Sequence, residues 1–138
     1  MKSRDTRTGG VLEKMILPAL EAGGYEYSLR VKVGLRLGLG AHFVDVVAQK
    51  DARKLLVSLK WQQVSGTAEQ KIPFEVICLA SAVDETDYEK AYLVLGGEGW
   101  KLRGFYTSGD LAKYLINPKN VEILTLESFV AKANRGAL

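Results

Sequence analysis

The chain has 138 residues, 47% of them apolar, with 19 basic and 16 acidic side chains for a net charge of +3. That length suits one domain with a core of its own, residues 1–138, and so mild a charge does not establish a polyanionic partner. One cysteine, Cys78, and one histidine, His42, exclude an internal disulfide, a cysteine-based zinc site and a multi-histidine centre. A divalent ion would have to be held by carboxylates, which suits Mg²⁺.

Residues 1–8 are polar and read as a flexible arm. From Val11 to Leu20 apolar residues recur at helical spacing, and Gly23-Gly24 end the helix. Tyr25 to Val33 alternates as a strand does. The glycines between Gly34 and Gly40 predict a turn or bulge. His42–Ala48 and Lys54–Trp61 read as strands joined in a hairpin through Gln49–Arg53. Thr67-Ala68-Glu69-Gln70 has the form of a capping box. Pro73 then requires either a kink near Glu69 or a short turn before a helix starting near Ile72.

Cys78 lies in the apolar run Val76–Ala80 and reads as a small core residue. Lys90–Leu95 is a buried strand and Gly96–Gly99 a turn. Trp100–Tyr106 is open between strand and loop. Ser108–Leu115 reads as a helix, Val121–Leu124 as a short strand and Leu126–Ala133 as a last helix. The order predicts an α/β fold, one mixed central sheet flanked by helices. The N-terminus is polar and no apolar run reaches the roughly 18 residues of a membrane helix, so a cytoplasmic protein without membrane contact is expected.

Two residues stand out chemically. Asp45 interrupts the apolar strand Val44–Val47, and a carboxylate there is costly unless paired or metal-bound. Lys60 shares a face with Ser58 on the next strand. If the two strands are neighbours, Asp45 and Lys60 converge at one end of the sheet. Taken alone, the pair also reads as a structural salt bridge.

The order and spacing of these residues resemble the PD-(D/E)XK nuclease superfamily, with its restriction-endonuclease-like αβββαβ core. The resemblance covers roughly Gly10 to Leu95. Asp45 matches the first acid and Lys60 the lysine. The opening Gly10-Val11-Leu12-Glu13 is similar to Holliday-junction-resolvase-like members, whose helix acid maps to Glu13. The departure is Ser58, where the family carries Asp or Glu. One branch of restriction enzymes has Ser-x-Lys and takes its acid from the following helix, a pattern similar to Ile72-Pro73-Phe74-Glu75. By that resemblance Glu75 is the displaced acid, with Glu69 the alternative. Glu69 also has a plainer reading as an acid at a helix N-terminus.

What the resemblance implies is hydrolysis of DNA phosphodiesters with Mg²⁺, or Mn²⁺ as substitute, held by Asp45 and Glu75. Glu13 would assist and Lys60 would act on the nucleophile. Arg30, Lys32, Gln62, Gln63 and Lys71 are candidate DNA contacts. Trp61 and Trp100 could stack on bases, though packing explains them as well. So short a chain leaves specificity to loops, to a homodimer or to a partner recognition subunit. Ser58 also supports another reading, a catalytically inactive DNA-binding or assembly subunit that keeps the nuclease fold.

Overall fold

In the computed structural model of the chain, residues 10–37, 39–115 and 121–138 are described; the expected arm at 1–8 lies outside them. The first helix begins as a π-helical stretch, Leu12–Ile16, and continues as α1, Leu17–Ala22. Pro18 supplies the reason. It has no N–H to return to the Lys14 carbonyl, and the Leu17 N–H bonds back to the Leu12 carbonyl instead, the wide spacing of a π turn.

Strands β1 (Glu26–Leu35), β2 (Ala41–Lys50) and β3 (Arg53–Trp61) form an antiparallel meander. The β2–β3 turn is tighter than expected: Lys50 pairs with Arg53, and Asp51 takes a φ of 56°, a region aspartate tolerates. A 3₁₀ turn, Thr67–Lys71, leads into α2, Ile72–Glu85, with Pro73 in its first turn. Of the two expectations for this segment, the short turn before Ile72 is the one found. The cap position belongs to Gly66, which makes no side-chain cap, so the capping box at Thr67 is corrected.

Strand β4 (Lys90–Gly96) runs parallel to β3, and β5 (Val121–Thr125) parallel to β4, giving a mixed sheet in the order β1-β2-β3-β4-β5. Between them lie the short helix α3, Arg103–Thr107, and a 3₁₀ turn, Asp110–Tyr114. The expected strand or loop at Trp100–Tyr106 is therefore partly helical, and the expected helix at Ser108–Leu115 is a tighter, shorter turn. The chain closes with α4, Leu126–Asn134, whose N-cap Thr125 accepts from the Ser128 N–H.

Two cores sandwich the sheet. On one face Leu17 and Leu20 of α1 and Phe129 and Ala133 of α4 meet Leu55, Val57 and Leu59 of β3. On the other, Ile72, Val76 and Leu79 of α2 meet Leu56, Leu93 and Ile123. β3 is thus buried on both sides, which explains its unbroken apolar run. Strand β2 buries His42, Val44, Val46 and Ala48 in strict alternation, yet Val46 and Ala48 join the first core and Val44 the second. The β1–β2 hairpin curls at Asp45, and its far half wraps toward α2.

Helices α1 and α4 cross closely at Gly23, where an added Cβ would collide with the Ala133 carbonyl oxygen. Backbone cannot retreat as a flexible side chain can. Gly23→Ala should therefore destabilise the fold by about 1–3 kcal/mol, the usual range for overpacking, seen as a lower midpoint in urea. An unchanged midpoint would mean that the two helices separate freely.

Candidate active site

The site forms where β2 leaves β3. Their ladder runs from Lys50↔Arg53 to Val46↔Val57 and ends one residue short of Asp45. There the Asp45 side chain takes over, its Oδ2 accepting the Leu59 N–H at 2.7 Å. On the other side of β2, Arg30 is the unpaired position between Leu29↔Val46 and Val31↔Val44, with a φ of 51°. A left-handed arginine inside a strand is strained, and such strain clusters at functional sites.

Burial pushes the Asp45 carboxyl above its usual range. The Leu59 N–H and the charges of Lys60 and Arg30 pull it down, and the charge of Glu75 pushes it up again. Asp45 thus senses Lys60, Glu75 and Arg30 together, although they come from three different elements.

Glu75 lies in the first turn of α2, where the helix dipole favours an anion, and is only 5% exposed. Ser58 Oγ donates to its Oε2 at 3.2 Å, Arg36 Nη1 donates to its Oε1 at 3.1 Å, and Lys60 Nζ stands 3.9 Å from the same Oε1. Ser58 thus holds one oxygen of the Glu75 carboxylate from the neighbouring strand. An Asp at 58 would instead face the Glu75 carboxylate as a like charge.

Glu69 is engaged elsewhere. Its carboxylate accepts the Leu102 N–H and its carbonyl accepts the Tyr106 hydroxyl, tying the 3₁₀ turn to α3. Glu13 is exposed on the π-helical stretch; its helix packs on the face opposite α2, and among the described residues no hydrogen bond or ion pair joins it to Asp45 or Lys60. Gln62 is 6% exposed and its amide donates to the Gly99 carbonyl at 2.8 Å. It clamps the Gly96–Gly99 turn. Gln63, Lys71, Arg30 and Lys32 are exposed. Trp100 is buried and donates to the Gly96 carbonyl, and Trp61 packs against the first core; both serve packing.

The sequence reading overlooked Arg36, the lone charge in the Gly34–Gly40 segment. That isolation was the available signal. His42 borders the same cluster. It is 1% exposed, its Nε2 has no hydrogen-bond partner, and its pKa is held down by burial and by the charges of Arg36 and Lys60, against Glu75. Cys78 is buried one turn beyond Glu75; burial pushes its thiol up and the adjacent Arg36 opposes that.

The donor set can be tested against a metal. Among the described residues no group of three or more His, Cys, Asp or Glu side chains could hold an ion. The acids on this side of the sheet are Asp45, held by the Leu59 N–H, and Glu75, held by the Ser58 hydroxyl. Magnesium takes one or two carboxylates and completes its shell with water and phosphate oxygen, so the set fits a hard divalent ion. Arg36 holds Oε1 of Glu75.

A family model for the PD-(D/E)XK nuclease superfamily domain matches residues 4–137, and the chain belongs to that superfamily. Among solved structures, the protein of unknown function AF1548 is similar at 13% identity and a TM-score of 0.50, over 80% of this chain and 54% of that one. A repair endonuclease from Pyrococcus abyssi shares 17% identity at a TM-score of 0.44, over 89% of this chain and 47% of that one. SfsA of Pyrococcus furiosus, solved in complex with Ca²⁺, shares 21% at 0.43, over 88% and 57%. At these identities a likeness speaks to fold alone, and the chain spans about half the length of the structures it resembles. No curated protein matches it.

The raised pKa of Asp45 has a sign that can be measured. Above that pKa the ionised group opposes folding relative to its neutral form; below the ordinary value of 3.8 it is protonated folded and unfolded, and the effect vanishes. Asp45→Asn should raise the Tm at pH 7 in metal-free buffer, with the gain closing as the pH falls toward 3.8. Added Mg²⁺ should stabilise the wild type and leave the variant unmoved. A variant less stable than wild type at pH 7 would contradict the assignment.

Proposed function

We propose that the chain is a magnesium-dependent DNA endonuclease of the PD-(D/E)XK type. The observation that supports this best is Glu75 of α2 held by Ser58 and Lys60 of β3, with Asp45 bonded to the Leu59 N–H between those two residues. Asp45 and Glu75 are the residues that would hold Mg²⁺, or Mn²⁺ in its place. Bound there, the ion lowers the pKa of a water and neutralises charge gathering on the phosphate.

The chain's own side chains do the rest. Ser58 fixes Oε2 of Glu75, while Arg36 and Lys60 stand at Oε1. Lys60, about 38% exposed along its side chain, orients the attacking water and stabilises the extra negative charge of the pentavalent phosphate. Arg30, Lys32, Gln63 and Lys71 are exposed and suited to backbone contacts; Glu13 serves at most at a distance. Residues 1–138 act as one domain. No helix among the described residues is long and apolar enough to cross a membrane, and the reading is of a cytoplasmic enzyme. Cutting both strands of a duplex calls for two sites, hence a homodimer, or a partner recognition subunit that brings the domain to its target.

A second reading has its own support. Arg36 and Lys60 already balance the charge of Glu75, as they would in a DNA-binding subunit that has lost catalysis.

Plasmid nicking in Mg²⁺ separates the two. Lys60→Ala should lose at least about 100-fold in rate, the usual loss on removing a transition-state contact, while keeping its fold. Glu75→Gln should abolish metal-dependent nicking and Glu69→Gln should preserve it, since glutamine can still accept the Leu102 N–H. Nicking by Glu75→Gln and not by Glu69→Gln would reassign the acid. Salt-dependent DNA binding with no nicking by the wild type would favour the inactive subunit.

A further inference from the structure

The β1–β2 hairpin carries an apolar surface that the fold does not use. Leu39 is 88% exposed, Phe43 50% and Leu37 41%, on a hairpin whose alternate residues His42, Val44, Val46 and Ala48 are buried. The tip is held in shape. Arg36 N–H bonds to the Gly40 carbonyl at 2.6 Å and Leu39 N–H to the Arg36 carbonyl at 3.0 Å. Leu37 is kept at a φ of 53°, a conformation that a leucine adopts only under constraint. Arg36 itself is fastened to Glu75, so the turn is anchored at the site.

The position of Phe43 is more telling. It precedes Asp45 by two residues on the same face of β2, about 7 Å along the strand, a distance on the scale of one nucleotide. Its cross-strand partner is the exposed Lys32, and Arg30 is close enough for its charge to act on Asp45. An exposed aromatic flanked by cations, next to the carboxylates, is the pairing that holds unstacked nucleic acid: the ring takes a base and the cations take the phosphates on either side. In a continuous duplex the base faces are covered and the ring and leucines would find nothing to stack on.

We propose that Phe43, with Leu37 and Leu39, forms a base-stacking wedge, and that the substrate is DNA with unpaired bases beside the scissile phosphate: a single strand, flap or fork. The inference rests on reading the site as a DNA nuclease, but binding tests it apart from catalysis. The cations beside Phe43 favour a polyanion over a protein partner at this face.

The test uses oligonucleotides of one sequence as duplex, fork and single strand, with 2-aminopurine at the junction. Binding is measured in EDTA and cleavage in Mg²⁺. Wild type should bind the fork and single strand about tenfold or more tightly than the duplex, because a base–aromatic stack is worth roughly 1–3 kcal/mol. Its binding should change the 2-aminopurine fluorescence as the probe moves onto the ring. The double variant Phe43→Ala, Leu39→Ala should bind all three alike, and Phe43→Trp should keep the preference. These side chains are exposed, so circular dichroism should show intact folds.

Equal wild-type affinity for fork and duplex, or an undiminished preference in the double variant, would overturn the wedge. So would sedimentation in which the double variant dissociates a dimer while fork preference persists; the patch would then be a protein contact. Fork-selective binding that depends on Phe43 without any cleavage would remove the nuclease reading and leave the wedge. Equal cutting of fork and duplex, with equal binding, would do the reverse.

Discussion

Glu75 is a carboxylate on the inner face of a helix whose neighbours there are Ile72, Val76 and Leu79. Left alone, such a group would cost several kcal/mol. It is matched from three directions, by Ser58 from the central strand, Arg36 from the hairpin and Lys60 from the strand end. Two partners belong to β3 and the third to the hairpin tip, so this one buried charge ties α2 both to the central strand and to the hairpin. The serine is essential to that arrangement, because a second carboxylate at position 58 would repel the first.

The companion constraint is the parting of β2 from β3. A paired strand would have no use for a carboxylate at position 45. Once the ladder ends at Val46↔Val57, the Asp45 side chain replaces a backbone acceptor for Leu59 and becomes half-buried in the gap. The same departure lets the hairpin curl from the α1–α4 face toward α2, which carries Arg36 to Glu75 and leaves Phe43 outside. The strained backbone at Arg30 lies opposite this point. The placement of Asp45 and the shape of the hairpin thus share a single irregularity of the sheet.

Much of this was legible in the sequence, and the reasons are specific. Asp45 stood out because it interrupts an apolar run whose period is otherwise clean, and Lys60 because strand alternation pairs it with Ser58; Glu75 came from the resemblance to enzymes that take their acid from the following helix. The five strands followed from apolar runs bounded by glycine and polar turns. The isolation of Arg36 among glycines and leucines marked it, but its partner lies 39 residues away, and no local pattern encodes that contact. The clamp that Gln62 makes on the Gly99 carbonyl was not legible, because a polar residue at a strand end looks the same whether it meets solvent or holds a turn. The helix α3 was missed since five residues, Arg103–Thr107, are too few to show a period. Membership in the PD-(D/E)XK superfamily now rests on a match across residues 4–137, where the sequence alone offered short motifs in the right order.

The central claim is that the second acid of this nuclease fold has moved from β3 to α2. Crystals soaked in Mn²⁺ test it most directly, through the anomalous signal of the ion. The account predicts a single strong peak bound by a carboxylate oxygen of Asp45 and one of Glu75, with Ser58 outside bonding distance and Arg36 displaced from Oε1. A peak held by Asp45 with Glu69 or Glu13, or an undisturbed Arg36–Glu75 pair with no ion at millimolar Mn²⁺, would contradict it.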